Sequence, residues 1–279
     1  VLKGPLKEAT RVAVGDVVVG GGEFVVVAGP CAVEDEEQMH EVAHAVASSG
    51  AHLLRGGVFK PRTSPYSFQG LGLEGLELLR RVSREVGLGA VVEVMSEDQI
   101  EPMLPHVSVL QVGARNMQNF SLLKALARTR VPVLLKRGLA ATVDEWLLAA
   151  EYLLDGGNPN VILCERGIRT FETATRFTLD LSAVAYVKAN SHLPVWVDPS
   201  HATGSPELVL PMACAAAACG ADGIMVEVHP RPHEALSDGH QALTCENFAE
   251  LMTKLAPFVR AAGRTLSSKA QIRAKAGGQ

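Results

Sequence analysis

The chain has 279 residues, of which 47% are hydrophobic and 20% charged, with a formal net charge of −4. That balance argues against a general nucleic-acid binder, and no apolar run approaches the roughly 18 residues of a membrane span. Five scattered cysteines (Cys31, Cys164, Cys214, Cys219 and Cys245) have no CxxC spacing and suggest neither a disulfide framework nor a structural zinc site. Val1 to Arg11 lacks the apolar centre of a secretory signal, so a cytoplasmic location is expected.

At the start, Val12 to Val19 followed by Gly20-Gly21-Gly22 reads as a strand and turn forming a hairpin with Glu23 to Val27, placed to plug a barrel floor. Eight apolar runs then recur roughly every 30 residues. They are Phe24–Ala28, His52–Val58, Ala90–Met95, Val109–Val112, Pro132–Lys136, Val161–Glu165, Pro194–Asp198 and Gly223–Val228. Segments with helical spacing separate them: Glu36–Ser48, Leu73–Glu85, Phe120–Thr129, Val143–Leu154, Glu172–Val187, Glu207–Cys219 and Cys245–Ala261. Thr142 with Glu145 has capping-box spacing, and Asp155-Gly-Gly-Asn-Pro is a helix stop.

Long apolar strands suit a parallel sheet covered by helices, and eight even units predict an α/β fold of the (β/α)8 TIM-barrel type rather than an open doubly wound sheet. The expected layout is an extension and hairpin over 1–23, a catalytic barrel over 24–266 and a tail over 267–279.

Polar residues interrupt these runs at their C-terminal ends, the face where barrel enzymes place their sites. In order they are Gly29-Pro-Cys31, Arg55 through Lys60-Pro-Arg-Thr-Ser64, Glu93, Gly113-Ala-Arg115, Lys136-Arg137, Glu165-Arg166, Asp198-Pro-Ser-His201 and Glu227-Val-His229. Any one could be surface solvation, but the same phase in eight units favours a shared mouth. Arg55, Lys60, Arg62, Arg115, Lys136 and Arg166 would converge there and call for anions such as phosphates and carboxylates. Cys31, His201, Glu227 and Asp238 form a candidate metal set; equally, Cys31 could be a small buried residue, His201 a helix cap and the acids partners of the cations.

These stretches, together with Leu54-Arg-Gly-Gly-Val-Phe-Lys-Pro-Arg-Thr-Ser, Gln111-Val-Gly-Ala-Arg-Asn, Cys164-Glu-Arg-Gly, Asp198-Pro-Ser-His and Glu227-Val-His-Pro, resemble the class I 3-deoxy-D-arabino-heptulosonate 7-phosphate (DAHP) synthases. The likeness is to the branch shared with 3-deoxy-D-manno-octulosonate 8-phosphate synthases, and it runs from about Phe24 to Phe248. It implies condensation of phosphoenolpyruvate with erythrose 4-phosphate, the first step of the shikimate pathway. It also implies one divalent metal ion (Mn2+, Fe2+, Co2+ or Zn2+) on Cys31, His201, Glu227 and Asp238. Phosphoenolpyruvate would meet Arg55, Lys60, Arg115, Lys136, Arg166 and the backbone of Ala114, with Asp198 alongside; erythrose 4-phosphate would meet Pro61, Arg62, Thr63 and Ser64.

Lys60 is the expected proton donor and Glu93 the residue for the attacking water, with Cys31 and His201 at the catalytic centre. Pro61 stands where the octulosonate branch typically has Asn, which weighs against arabinose 5-phosphate as substrate. A Schiff-base aldolase using Lys136 and a non-catalytic phosphometabolite-binding subunit are the remaining alternatives. The resemblance further suggests a homotetramer or homodimer. With some 23 residues before the first barrel strand there is no room for a fused regulatory domain, so the expectation is an unregulated catalytic core, insensitive to aromatic amino acids unless a separate partner such as a chorismate mutase supplies control.

Overall fold

The computed structural model describes residues 1–4, 7–60, 66–267 and 271. A short antiparallel pair, β1 (Val12–Val14) and β2 (Val17–Val19), precedes the main sheet. The sheet comprises β3 (Val25–Gly29), β4 (Leu53–Arg55), β5 (Gly89–Val94), β6 (Val109–Val112), β7 (Val133–Lys136), β8 (Val161–Glu165), β9 (Val195–Val197) and β10 (Gly223–Glu227). All eight pair in parallel, and β10 closes on β3 to complete a barrel. An open sheet is thereby excluded.

The helices are α1 (Glu36–Ser48), α2 (Gly72–Glu85), α3 (Ile100–Met103), α4 (Phe120–Ala127), α5 (Val143–Asp155), α6 (Leu181–Asn190), α7 (Pro199–Thr203), α8 (Pro206–Ala218) and α9 (Cys245–Ala261). The Thr142/Glu145 capping box is present at the start of α5, and Asp35 caps α1 through the backbone N–H of Gln38. Among the described residues no helix is long and apolar enough to cross a membrane.

Two expectations need correcting. The hairpin is tighter than the glycine run suggested: Val12 faces Val19 and Val14 faces Val17 across a two-residue turn, Gly15-Asp16, with Gly15 at φ 58°. A glycine at the first central position favours this turn, leaving Glu23–Val27 free to enter the barrel. The helix expected over Glu172–Val187 begins only at Leu181, where the Asp180 side chain accepts from the Ala183 N–H. Upstream the chain is irregular because its backbone is used elsewhere: Arg176 and Phe177 donate to the carbonyls of Thr203 and Ala202, and Thr178 exchanges both backbone bonds with Ile168.

The barrel wall has two faces that alternate with period two along each strand. Outward residues such as Val26, Leu54, Val92, Leu110, Leu135 and Leu163 join the helices in one apolar cluster. Inward residues form another: Val25, Val27, Leu53, Val91, Val109, Leu134, Ile162, Cys164, Trp196 and Met225. Val12, Val14, Val17 and Val19 of the hairpin belong to that inner cluster and are buried, so β1 and β2 stopper the barrel at its N-terminal end as expected.

Candidate active site

The inward phase of each strand carries apolar residues below and a polar one at the top. Leu53 leads to Arg55, Val91 to Glu93, Val109 to Gln111, Leu134 to Lys136, Cys164 to Arg166, Trp196 to Asp198 and Met225 to Glu227, each two residues on. Period two therefore aims these side chains at one mouth. Arg55, Lys60, Glu93, Gln111, Ala114, Arg115, Lys136, Arg166, Arg176, His201 and Asp238 line the resulting cavity. Pro61, Arg62, Thr63 and Ser64, expected to meet the sugar phosphate, lie outside the described residues.

Phase also separates the residues that do not converge. Arg137 and Glu165 stand two residues after the outward Leu135 and Leu163, one position off the inward register of Lys136 and Arg166. They pair with each other at 2.9 Å, and Arg137 also reaches Asp180 at 2.9 Å. His229 turns to Glu34, 3.3 Å away. These are structural contacts.

The cations were expected to await anionic ligands, and two of them already have carboxylate partners within the protein. Arg55 Nη1 donates to Glu227 Oε1 at 2.9 Å, and Lys136 Nζ donates to Asp198 Oδ2. Arg166 differs: it is buried, its Nη1 has no hydrogen-bond partner among the described residues, and its guanidinium lies 4.3 Å from the Phe177 ring centroid. Burial, with Arg176 nearby, pulls its proton affinity below the ordinary arginine range. Such a group invites an anion.

Four potential ligands meet beside it. One donor atom from each of Cys31, His201, Glu227 and Asp238 lies within 4.8 Å of all the others. Cys31 is delivered by the turn after β3, where Gly29 sits at φ 147° and any Cβ would strike the Arg55 carbonyl oxygen at 2.2 Å. Asp238 has φ 52°, the one non-glycine residue with positive φ among those described, a strained conformation that Asp tolerates better than most.

The protonation of this cluster follows from its neighbours. Burial would raise Asp198, but His201, Lys136 and Arg55 hold it well below the usual carboxylate range. Its Oδ2 therefore accepts from Nδ1–H of His201 at 2.7 Å, and burial pulls His201 below its ordinary value so that the ring is neutral. The lone pair then rests on Nε2, which faces Glu227 Oε1 at 3.2 Å. Glu227 is likewise held low by His201 and Arg55 against the burial that would raise it.

Two electron pairs facing each other at that distance fit a cation between them, and a carboxylate behind a ligating histidine is the usual arrangement at such centres. Cys31 supports the same reading. Burial and Glu227 push its thiol up to about 12, with Lys60 Nζ only 2.9 Å from its sulfur. A divalent cation is the ligand that would convert it to thiolate.

Sequence reasoning missed four residues here. Arg176 donates to Gln241 Oε1 at 2.7 Å and approaches Asp238 at 3.5 Å, and Gln241 Nε2 donates to the second oxygen of Glu227 at 2.6 Å. Ser237 Oγ touches Cys31 Sγ at 3.2 Å. Gln111 reaches Glu93 at 3.4 Å and had a readable signal, since it stands in the inward phase of β6.

Comparison with known proteins adds a second line of information. The family model described as the DAHP synthetase I family matches residues 5–260. Phospho-2-dehydro-3-deoxyheptonate aldolase of Thermotoga maritima is 51% identical over 256 residues, covering 92% of this chain and 76% of the relative. The 2-dehydro-3-deoxyphosphooctonate aldolase of Syntrophobacter fumaroxidans is 30% identical over 93% of this chain and 96% of its own length. The crystal structure of the Thermotoga DAHP synthase superposes with a TM-score of 0.89 over 92% of this chain and 75% of that one. A truncated form of the Thermotoga enzyme, 46% identical, gives 0.86 over 92% and 94%.

Proposed function

Since the chain belongs to the DAHP synthetase I family, and so joins phosphoenolpyruvate to erythrose 4-phosphate, we propose how its residues divide the work. The enzyme takes phosphoenolpyruvate, erythrose 4-phosphate and water to DAHP and inorganic phosphate, the entry to the shikimate pathway. The observation that carries the assignment of roles is the convergence of buried cations and four ligand atoms in one mouth.

Arg166, Lys136 and Arg115, with the backbone of Ala114, hold the phosphate and carboxylate of phosphoenolpyruvate. Arg55 and Asp198 hold the acids and the lysine around it in place. Pro61, Arg62, Thr63 and Ser64 receive the phosphate of the sugar. Two mutually repelling anions are thereby fixed within reach of each other, which is worth several orders of magnitude in rate.

Cys31, His201, Glu227 and Asp238 hold one divalent cation, Mn2+, Fe2+, Co2+ or Zn2+, which supplies Lewis acidity beside the aldehyde when bound. As C3 of phosphoenolpyruvate forms its bond to the aldehyde carbon, Lys60 delivers a proton to the aldehyde oxygen. Glu93 orients water at C2 and takes its proton. The water oxygen bonds to C2, and cleavage of the C2–O bond to phosphate then expels phosphate, which carries off the proton of the new C2 hydroxyl and leaves the C2 ketone.

We propose further that residues 24–266 are the catalytic barrel, with 1–23 an N-terminal extension and hairpin and 267–279 a tail, and that the enzyme works in the cytoplasm as a homotetramer or homodimer. An apolar groove between α8 and α9, lined by Leu210, Pro211, Ala215, Pro257 and Phe258, supports self-association.

The test is phosphate release by the EDTA-stripped chain with erythrose 4-phosphate or arabinose 5-phosphate, before and after Mn2+ is added. Turnover restored by metal with the four-carbon sugar is expected. Preference for the five-carbon sugar would assign the chain to the octulosonate branch, and turnover indifferent to metal would remove Cys31 and His201 from their roles.

A further inference from the structure

Two groups of metal-ligating side chains exist among the described residues, and no member of the second lines the mouth. His40 and His44 stand one turn apart on α1, so the helix presents both imidazoles on one face. Their rings are nearly parallel, with centroids 6.3 Å apart and an interplanar angle of 16°. Glu85, the last residue of α2, reaches across to both: its Oε1 lies 2.8 Å from His44 Nε2 and its Oε2 lies 3.4 Å from His40 Nδ1.

From these contacts we infer that His40, His44 and Glu85 form a surface site for a divalent transition metal of the imidazole-preferring class, with Zn2+ as its representative. One donor atom from each residue lies within 4.8 Å of the other two, which a small rotamer adjustment brings to the spacing of ligands about 2.0–2.1 Å from one ion. Two nitrogens and one carboxylate oxygen match what Zn2+, Ni2+ or Cu2+ select, while a hard ion such as Mg2+ would be left short of oxygen ligands. All three residues are at least one-third exposed, which leaves a ligand position for water and a path for the ion.

The site has a structural consequence. α1 follows the turn that carries Cys31, and α2 is the next helix after β4 with its Arg55, so an ion held across them clips two adjacent βα units together. Its contribution is to stability and not to the chemistry in the mouth.

Equilibrium dialysis of the full chain against Zn2+ tests this, comparing wild type with the His40→Ala/His44→Ala double variant. Wild type is expected to hold one equivalent more than the double variant, whatever the occupancy of the mouth. The Cys31→Ala chain should still gain at least about 2 °C in Tm with Zn2+, and the gain should vanish when His44→Gln is added. Unchanged turnover in the double variant serves as the check that it folds. Equal Zn2+ content in wild type and double variant, or a difference appearing only at millimolar Zn2+, would overturn the site.

Discussion

Asp198 and His201 are joined twice. The backbone N–H of His201 donates to Asp198 Oδ1 at 2.9 Å, and Nδ1 of its ring meets Oδ2 at 2.7 Å. Asp198 is thus both the N-cap of α7 and the group that fixes which nitrogen of His201 keeps its lone pair. Asp198→Asn removes the charge and can present its NH2 to the ring, turning Nε2 into the protonated nitrogen. Metal affinity should fall about 10- to 100-fold, measured by competition with a chromophoric chelator; an affinity within twofold of wild type would contradict the tautomer assigned to His201.

Metal uptake should release one proton. The Cys31 thiol, pushed up to about 12 by burial and Glu227, is protonated in the metal-free protein throughout the neutral range. His201 and Glu227, both held below their ordinary values, are already neutral and ionised respectively. Only the thiol must lose its proton on binding, so affinity should rise about tenfold per pH unit between roughly pH 7 and 9. Calorimetry in buffers of different ionisation enthalpy counts the proton; a count near zero would show that Cys31 does not bind as thiolate.

Gly113→Ala should damage activity while sparing the fold. A Cβ at this position would meet Glu93 Oε1 at 2.0 Å, and the carboxylate end of that flexible side chain is what must move. We expect kcat to fall at least about tenfold, as a displacement near 1 Å of a positioned group can cost that and more, with Tm shifted by no more than a few degrees. Normal turnover would exclude Glu93 from the role assigned to it.

Adjacent positions on the wall should respond in opposite ways. Arg137→Met leaves Glu165 buried without its partner and should cost roughly 3 kcal/mol of stability. Arg166→Met replaces a buried guanidinium that has an unpartnered nitrogen and should leave Tm unchanged or higher. Activity should behave the other way, with the KM for phosphoenolpyruvate raised at least about tenfold in Arg166→Met. Thermal scans and steady-state kinetics on the two variants decide it, and a large loss of Tm in Arg166→Met would make that residue structural.

The barrel was legible because each strand announces itself as an apolar run and each run stops at a polar residue. The division between site and scaffold was legible too, in the step of two that separates Leu134 from Lys136 and Trp196 from Asp198 and leaves Arg137 facing outward. What lay hidden resides in loops, where no periodicity exists. Arg176 and Gln241 act through contacts 65 residues apart, and the left-handed conformation falls on Asp238 itself and not on the Gly239 that follows it. The Glu172–Val187 segment has helical composition, yet its backbone donors are claimed by Ala202 and Thr203. The Gly20-Gly21-Gly22 run outshone the single Gly15 that makes the turn.

The four valines that seal the barrel floor also govern traffic. With Val12, Val14, Val17 and Val19 packed into the lower end, the described residues close the barrel there, and traffic is directed through the mouth at the C-terminal ends of the strands. A reactant seated deep, at the Lys136 and Arg166 proposed for phosphoenolpyruvate, is then expected to enter first, with its co-substrate closing the queue behind it.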